Sequence, residues 1–596
     1  MKRKKPIKKR LNIRQWTKYV YWLFVVVLLV TAIFTRYIHL KSIQKNDSTF
    51  YNLPAGTDML TYDNQAQEIL KGRHPAPYYY GPLYSYFLSL AYLIFGHNLY
   101  IIRFIQMIFG VFTCLFIFLI AKKVFGKGVA IVSLALSVFY DMFIVHEGLI
   151  LLEALATFLN TLFIFFLLKS EETRQLKYIF LSGILLALSS LCRTSILLFL
   201  PFVFIWMLVF FKRRAFSYFF IFSLTTFIFI SPATIMNYLS SKKFTLVTTN
   251  GPVLLWIGNN ECADGTYLTY PLPEKLQKRL SEIGDRAYIE DVIRFAKEKP
   301  KLFLNLLLKK FLLFWGRFEI ANNMNYEDIK KASYIIRLPF FIGFGFIAPL
   351  SLFGMILSLK NKRCLLLFLF IFSFILSIIA IHVLGRYRIS FIPAIIPFAS
   401  CTLFWLYEKI RKMEYKRILL SIPLLSLCFF IIWQEDARIF YFKLKNPAGI
   451  HKDGVITDSK CILSQRNAIV LHNGEEAKKE FMIIEDISLY KEAKLSFDYM
   501  AYGEGKLIID INEGVYSIQA NIQPTQGMSF NLYNIPLPIK FLKKGKNSFV
   551  FKVEGDWVFV LPYDPIYSFK RSHQFIDGKF KKINGEFIIS LNLINA

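Results

Sequence analysis

The sequence predicts a mainly α-helical, polytopic membrane protein with about eleven spanning helices and a C-terminal, extracytoplasmic β-sandwich-like domain. Three observations carry that prediction. Of 596 residues, 55% are hydrophobic and 62 are phenylalanine. They recur in blocks of about 20, which a soluble chain could not bury, rather than in amphipathic stripes. The formal charge of +31 gathers in short clusters beside those blocks, such as KRKKPIKKR at the start and KRR at 212. That is the positive-inside signature of cytoplasmic loops, and it argues against nucleic acid as a partner. From about residue 445 the pattern changes to short alternating runs such as KLSFDYMAY, KLIIDINEG and NSFVFKVEG, separated by Gly, Asn and Pro. Those read as strands.

The apolar blocks fall at 18–38, 100–121, 127–145, 150–168, 177–191, 195–211, 216–236, 338–359, 364–383, 389–407 and 418–434. No small-residue cleavage site follows the first, so it is read as an uncleaved span. With a cytoplasmic N-terminus, the clusters at Lys122–Lys123, Lys169–Lys177, Lys212–Arg214, Lys360–Arg363 and Lys409–Arg417 all face the cytoplasm. The outer side then receives loop 39–99, turns near 146 and 193, loop 237–337, turn 384–388 and everything after 435. Segment 303–316, short and split by two lysines, is expected to lie on the outer membrane face. The expected domains are therefore a membrane part, 1–440, and a β-rich part, 441–596, in a multi-pass protein of the cell's inner (plasma) membrane. Seven cysteines without CxxC spacing indicate neither a zinc site nor a disulfide framework.

The polar residues that break this pattern are the candidates for chemistry. Asp58 opens DMLTYDNQAQEIL, whose Tyr62, Ala66, Ile69 and Leu70 share a helical face. Its carboxylate is either an N-cap or a fixed charge at the mouth of a cavity, and the two roles are compatible. Glu147 ends the third block and Glu153 lies inside the fourth, where a carboxylate needs a cavity or a partner. On a continuous helix the two would stand ~9 Å apart and ~120° around the axis. Arg103, Arg193, Arg386 and Arg388 fall on the outer side, where positive charge is disfavoured. Binding phosphate through a planar guanidinium accounts for them, and so does contact with anionic lipid head groups. Tyr80 and Tyr84, with their neighbours, serve either sugar stacking or an interfacial aromatic belt.

In order along 50–410, these pieces resemble the GT-C membrane glycosyltransferases, specifically the protein O-mannosyltransferase and aminoarabinose transferase group. GTDMLTYDNQAQEIL resembles that group's first-loop acidic motif, and YYYGPLYSYF its Pro-Leu segment at Pro82. ILLEALATF resembles the second acid, LCRTSILLFLP the arginine turn, and GRYRISFIPAIIPF the closing motif. SPATIMNYLSSKKFTLVTTNGPVLLWIGNNECADGTY is similar to a segment of bacterial members, with Asn237 and Asn259 at its Asn-Tyr and Gly-Asn-Asn elements. Two positions depart from the group. Met236 stands where an arginine is common, and Gly81 stands where aminoarabinose transferases carry a lysine implicated in holding lipid phosphate.

The resemblance implies inverting transfer of a sugar from a polyprenyl-phosphate donor to a glycan, lipid or protein acceptor at the outer face. Asp58 would be the base, with Glu153 and Glu147 orienting the acceptor. The four arginines would hold the departing phosphate, and Tyr62, Tyr80, Pro82, Tyr84, Asn237 and Asn259 would line the substrate site. If a divalent metal takes part, Asp58 and Glu153 are its candidate ligands. Two other classes compete. A lipid or sugar transporter would show inverted repeats or broken mid-membrane helices. A glycan-binding surface protein acting through the β domain would not need so many spans.

Overall fold

The computed structural model describes residues 13–267, 272–323, 326–445, 450–452, 455–457, 467–525, 531–564, 570–576, 578–583 and 586–595; the basic N-terminal cluster lies outside them. The chain forms two compact units, Met1–Leu254 with Phe311–Ile432, and Leu255–Lys310 with Trp433–Ala596. Segment 255–310, expected within the membrane part, thus groups with the C-terminal chain.

The first unit is helical. Its N-terminal half runs through α1 (Ile13–Asn46), α2 (Asp58–Leu70), α3 (Pro82–Phe95), α4 (Leu99–Val124), α5 (Lys127–Val138), α6 (Asp141–Glu147), α7 (Glu153–Thr173), α8 (Leu176–Cys192), α9 (Leu200–Phe211) and α10 (Ala215–Ser241). After α11 (Gly251–Gly258), α12 (Glu274–Ile283), α13 (Arg286–Glu298) and α14 (Pro300–Trp315) come α15 (Tyr326–Ala332), α16 (Phe344–Leu357), α17 (Leu365–Ala380), α18 (Gly385–Arg388), α19 (Ile392–Arg411) and α20 (Tyr415–Lys445). Among the described residues seven helical stretches are long and apolar enough to cross a membrane, and Thr194–Ser241 merges two of the expected spans. Lys127–Val138, Leu176–Cys192 and Phe344–Leu357 are shorter apolar helices where spans were expected, and Pro82–Phe95 is another inside the first outer loop.

Burial runs opposite to that of a soluble protein. Leu23, Phe24, Val27 and Phe34 on α1 are exposed, whereas Arg36 and His39 on the same helix are buried. In lipid an outward apolar side chain costs nothing, and polar groups must find partners inside.

Local signals set the element starts near the site. Thr57, not Asp58, caps α2: its hydroxyl accepts from the Leu60 N–H at 3.4 Å. The Asp58 carboxylate is thereby left for other partners. The buried face of α2 is Met59, Tyr62, Asp63 and Ala66, while Leu70 is exposed. Pro82 takes the first turn of α3, where its missing N–H costs nothing.

The helix between Glu147 and Glu153 is not continuous. α6 ends at Glu147, α7 starts at Glu153, and the residues between them turn. Side chains from α4 hold the freed carbonyls. Arg103 Nε donates to Gly148 O at 2.7 Å, and Gln106 Nε2 donates to Glu147 O at 3.0 Å and Leu149 O at 2.6 Å. The expected third block, 127–145, is likewise broken after Val138.

In the second unit, α13 buries Ala287, Val292 and Phe295, and Trp256 Nε1 donates to Asp291 at 2.9 Å. The C-terminal chain forms two antiparallel sheets. One has the order β1 (Ile450–Lys452), β2 (Val455–Thr457), β14 (Ile589–Asn595), β5 (Tyr490–Gly503), β10 (Trp557–Asp564), β13 (Glu586–Phe587), with β3 (Asn467–Leu471) on β10 and β8 (Asn531–Pro538) on β5. The other has the order β12 (Lys579–Lys582), β11 (Ser572–Ile576), β4 (Glu476–Ile483), β9 (Gly545–Glu554), β6 (Lys506–Ile511), β7 (Tyr516–Ala520). Alternate residues of both, such as Leu495 and Phe497 on β5 and Phe549 and Phe551 on β9, form one core, as the expected sandwich requires.

Asn237 on α10 is fully buried and ties three backbone groups. It accepts from Tyr78 N at 2.8 Å and donates to Thr245 O and Val247 O at 3.2 and 2.9 Å. Replacing it with Ala strands those groups, each costing roughly 1–3 kcal/mol. Asn237→Ala should therefore lower the melting temperature in detergent and expose 75–80 and 242–250 to protease; an unchanged melt and cleavage pattern would contradict this role.

Candidate active site

Four segments far apart in the sequence bring charged groups together in the first unit. Asp58 stands at the first position of α2, Glu153 at the first position of α7, Arg193 just after α8, and Arg386 in α18. Arg386 Nη1 lies 2.7 Å from Asp58 Oδ2, and its Nε lies 3.9 Å from Glu153 Oε1. Arg193 Nη2 donates to the same Glu153 oxygen at 2.9 Å, and its guanidinium lies 4.2 Å from the Tyr387 ring centre. Two carboxylates therefore face two guanidiniums, a balance that low-dielectric surroundings demand.

The cluster is graded in depth. Glu153 is fully buried, while the side chains of Arg386, Asp58 and Arg193 are 13%, 17% and 21% exposed. Asp58 is anchored further by Asn323, whose Nδ2 donates to Oδ2 at 2.8 Å and whose Oδ1 accepts from the Asp58 N–H at 2.8 Å. Among the described residues, Tyr80 OH, at 3.2 Å, is the one donor to the remaining oxygen, Oδ1. Tyr62 packs against Tyr80 and Tyr84, with ring centres 5.5 and 5.0 Å away. Burial, and then the Asp58 charge, push the Tyr62 phenol well above its usual range, so it stays protonated.

The other expected residues lie elsewhere. Glu147 is buried on Arg36, with contacts of 2.6 and 2.9 Å to Nε and Nη2. Gly110 faces that carboxylate so closely that a Cβ would overlap it. Arg103 is buried over Phe50, 4.0 Å from the ring centre, and donates from Nε to Gly148 O and from Nη1 to Leu99 O. Arg388 is buried too: it donates to Phe314 O, Gly316 O, Phe318 O and Glu319. It thereby fastens 314–319 to 385–388, the two segments that deliver Asn323 and Arg386 to Asp58.

Pro82 and Tyr84 are buried, Tyr84 donating to Gln106 Oε1 at 2.7 Å. Asn237 braces the backbone described above. Asn259 lies in the second unit, accepting from Lys310 Nζ at 2.7 Å; burial lowers that ammonium's pKa to about 7.

A divalent ion bridging Asp58 and Glu153 does not fit this donor set, because the Arg386 guanidinium already spans the two carboxylates. Among the described residues no group of three or more His, Cys, Asp or Glu gathers as a metal site. Gly81, in the place of the lysine, is explained locally: a Cβ there would run into the carbonyls of Leu191 and Cys192, just before Arg193.

If Glu147 is structural, removing its partner leaves a buried charge, at a cost of about 3–5 kcal/mol. Arg36→Met should then melt well below wild type, and Arg36→Met with Glu147→Met should recover most of the loss. Equal melting of all three proteins would contradict the pairing.

Residues 73–236 match the family described as dolichyl-phosphate-mannose-protein mannosyltransferase. That stretch holds the Pro-Leu segment, Arg103, both glutamates and Arg193. No curated protein matches the sequence. Among solved structures, the Archaeoglobus fulgidus oligosaccharyltransferase in complex with Zn and sulfate is similar at 15% identity and TM-score 0.39, over 68% of this chain and 52% of that one. The same oligosaccharyltransferase tethered with an acceptor peptide gives 16%, 0.41, 69% and 54%. ArnT from Cupriavidus metallidurans bound to undecaprenyl phosphate gives 14%, 0.39, 68% and 65%. The chain thus spans about half the length of the oligosaccharyltransferase structures.

Proposed function

We propose that this membrane protein is a GT-C-type glycosyltransferase that moves a sugar from a polyprenyl-phosphate donor to an acceptor at the extracytoplasmic face, with inversion. The observation that carries the reading is the meeting of Asp58, Glu153, Arg193 and Arg386 from four separate segments. The match of 73–236 to a dolichyl-phosphate-mannose-dependent family supports the donor class. The N-terminus is assigned to the cytoplasm and the β domain to the outside on the placement of the basic clusters.

Asp58 Oδ1 is the basic atom. Asn323 and Arg386 hold Oδ2, so among the described residues Oδ1 gives up only its contact with Tyr80 when an acceptor hydroxyl arrives. The acceptor oxygen attacks the anomeric carbon from the face opposite the phosphate. Its proton passes to Oδ1 as the bond from carbon to phosphate oxygen breaks. The leaving polyprenyl phosphate is an anion that Arg386 and Arg193 can receive, since each keeps guanidinium N–H groups beyond its carboxylate contact. Arg103, bonded to backbone carbonyls, and Arg388, bonded to backbone carbonyls and to Glu319, are assigned to positioning instead. Glu153 fixes the two catalytic-side arginines from below.

The test incubates purified full-length protein with radiolabelled polyprenyl-phosphate sugars. Losing a general base costs roughly 10²–10⁴ in rate. Asp58→Asn should therefore lose transfer by about that factor while remaining monodisperse in detergent. Turnover equal to wild type would remove Asp58 from the mechanism.

A further inference from the structure

The β domain carries a groove of about 480 Å³ that the transfer reaction does not use. It lies at one end of the second sheet, between the β6–β7 loop, residues 540–543 and the start of β9. Its most unusual contact is between Tyr516 and Phe541, whose rings stack with centres 4.0 Å apart and planes at 20°. Lys478, Lys540, Lys543 and Lys546 rim it. Lys478 and Lys546 share Glu480, at 3.1 and 3.0 Å. Lys540 and Lys543 make no ion pair among the described residues, and Glu513 is the one acid on the groove wall.

The walls are built and not incidental. Asn512 Nδ2 donates to Phe541 O at 2.9 Å and Asn547 Oδ1 at 3.1 Å, while its Oδ1 accepts from Ser548 N at 3.0 Å. Asn547, fully buried, in turn accepts from Lys543 N at 2.9 Å and donates to Lys543 O at 2.6 Å. Asn512 and Glu513 are held left-handed, at φ 53° and 63°, ahead of Gly514 at 82°. Left-handed backbone is disfavoured for non-glycine residues, and the surrounding bonds sustain it here.

We propose that this groove binds an acidic glycan. Two unneutralised ammonium groups attract carboxylate or phosphate substituents. The Tyr516 and Phe541 rings on the groove wall offer apolar surface to the C–H face of a sugar ring. The Ser548 hydroxyl and the second lone pair of Asn512 Oδ1 supply partners for sugar hydroxyls. A concave, aromatic, lysine-rimmed groove suits a polymer strand better than a membrane plane. The inference does not depend on the transferase reading.

Full-length protein in phosphatidylcholine nanodiscs would be titrated with fluorescent oligogalacturonate and with neutral malto-oligosaccharide. The expected result is salt-sensitive binding of the acidic oligomer only, weakened about tenfold or more by Lys540→Glu with Lys543→Glu and unaffected by Lys506→Glu, at the end of β6 away from the groove. Matching melting curves would establish that all variants fold. Four results would overturn the proposal: no binding, equal binding of the neutral oligomer, equal weakening by Lys506→Glu, or binding confined to phosphatidylglycerol vesicles.

Discussion

The site depends on one constraint: carboxylates taken out of water must be matched by cations held in place. Arg386 satisfies it by reaching two acids at once, Asp58 at 2.7 Å and Glu153 at 3.9 Å, while Arg193 takes the outer side of Glu153. With two charges of each sign, the cluster is balanced before any substrate arrives. On the proposed reading, a phosphate entering between the arginines would draw Arg386 away from Asp58, so that donor binding would act on the proposed base through a single guanidinium.

The surrounding fold keeps those four groups in register. Arg388 welds 314–319 to 385–388 through backbone carbonyls, and Asn323 clasps Asp58 from the same side. On the opposite side, Arg103 and Gln106 hold open the turn from α6 to α7, so that Glu153 begins a helix instead of sitting in its middle. The Arg36–Glu147 pair, with Gly110 pressed against it, packs α1, α4 and α6 together behind the site. Polar side chains do here what apolar packing does in a soluble core.

The spans were legible because long apolar blocks survive any detail of packing, and the β domain because its strands alternate. The breaks after Val138 and Glu147 were not. Their residues are as apolar as a helix interior, and the groups that stabilise the second break, Arg103 and Gln106, come from another helix about 40 positions earlier in the sequence. Asp58 and Glu153 stood out as carboxylates in greasy surroundings. Asn323 was hidden in the asparagine-rich ANNMN run, and Arg36 inside the first apolar block. The four outer arginines carried the same signal in sequence. Only the fold separates Arg193 and Arg386, which meet Glu153 and Asp58, from Arg103, which meets backbone carbonyls, and Arg388, which meets backbone carbonyls and Glu319. Thr57 likewise took the capping role that Asp58 alone suggested, leaving the acid free for Arg386.

The central claim, that the arginine–carboxylate cluster receives the donor's phosphate, is tested most directly by a cryo-EM map of the full-length protein with a bound polyprenyl phosphate. The account predicts phosphate density within hydrogen-bonding reach of both Arg386 and Arg193, with Asp58 Oδ1 facing the space beside it. Phosphate density on any other surface, with the Arg386–Asp58 contact undisturbed, would contradict it.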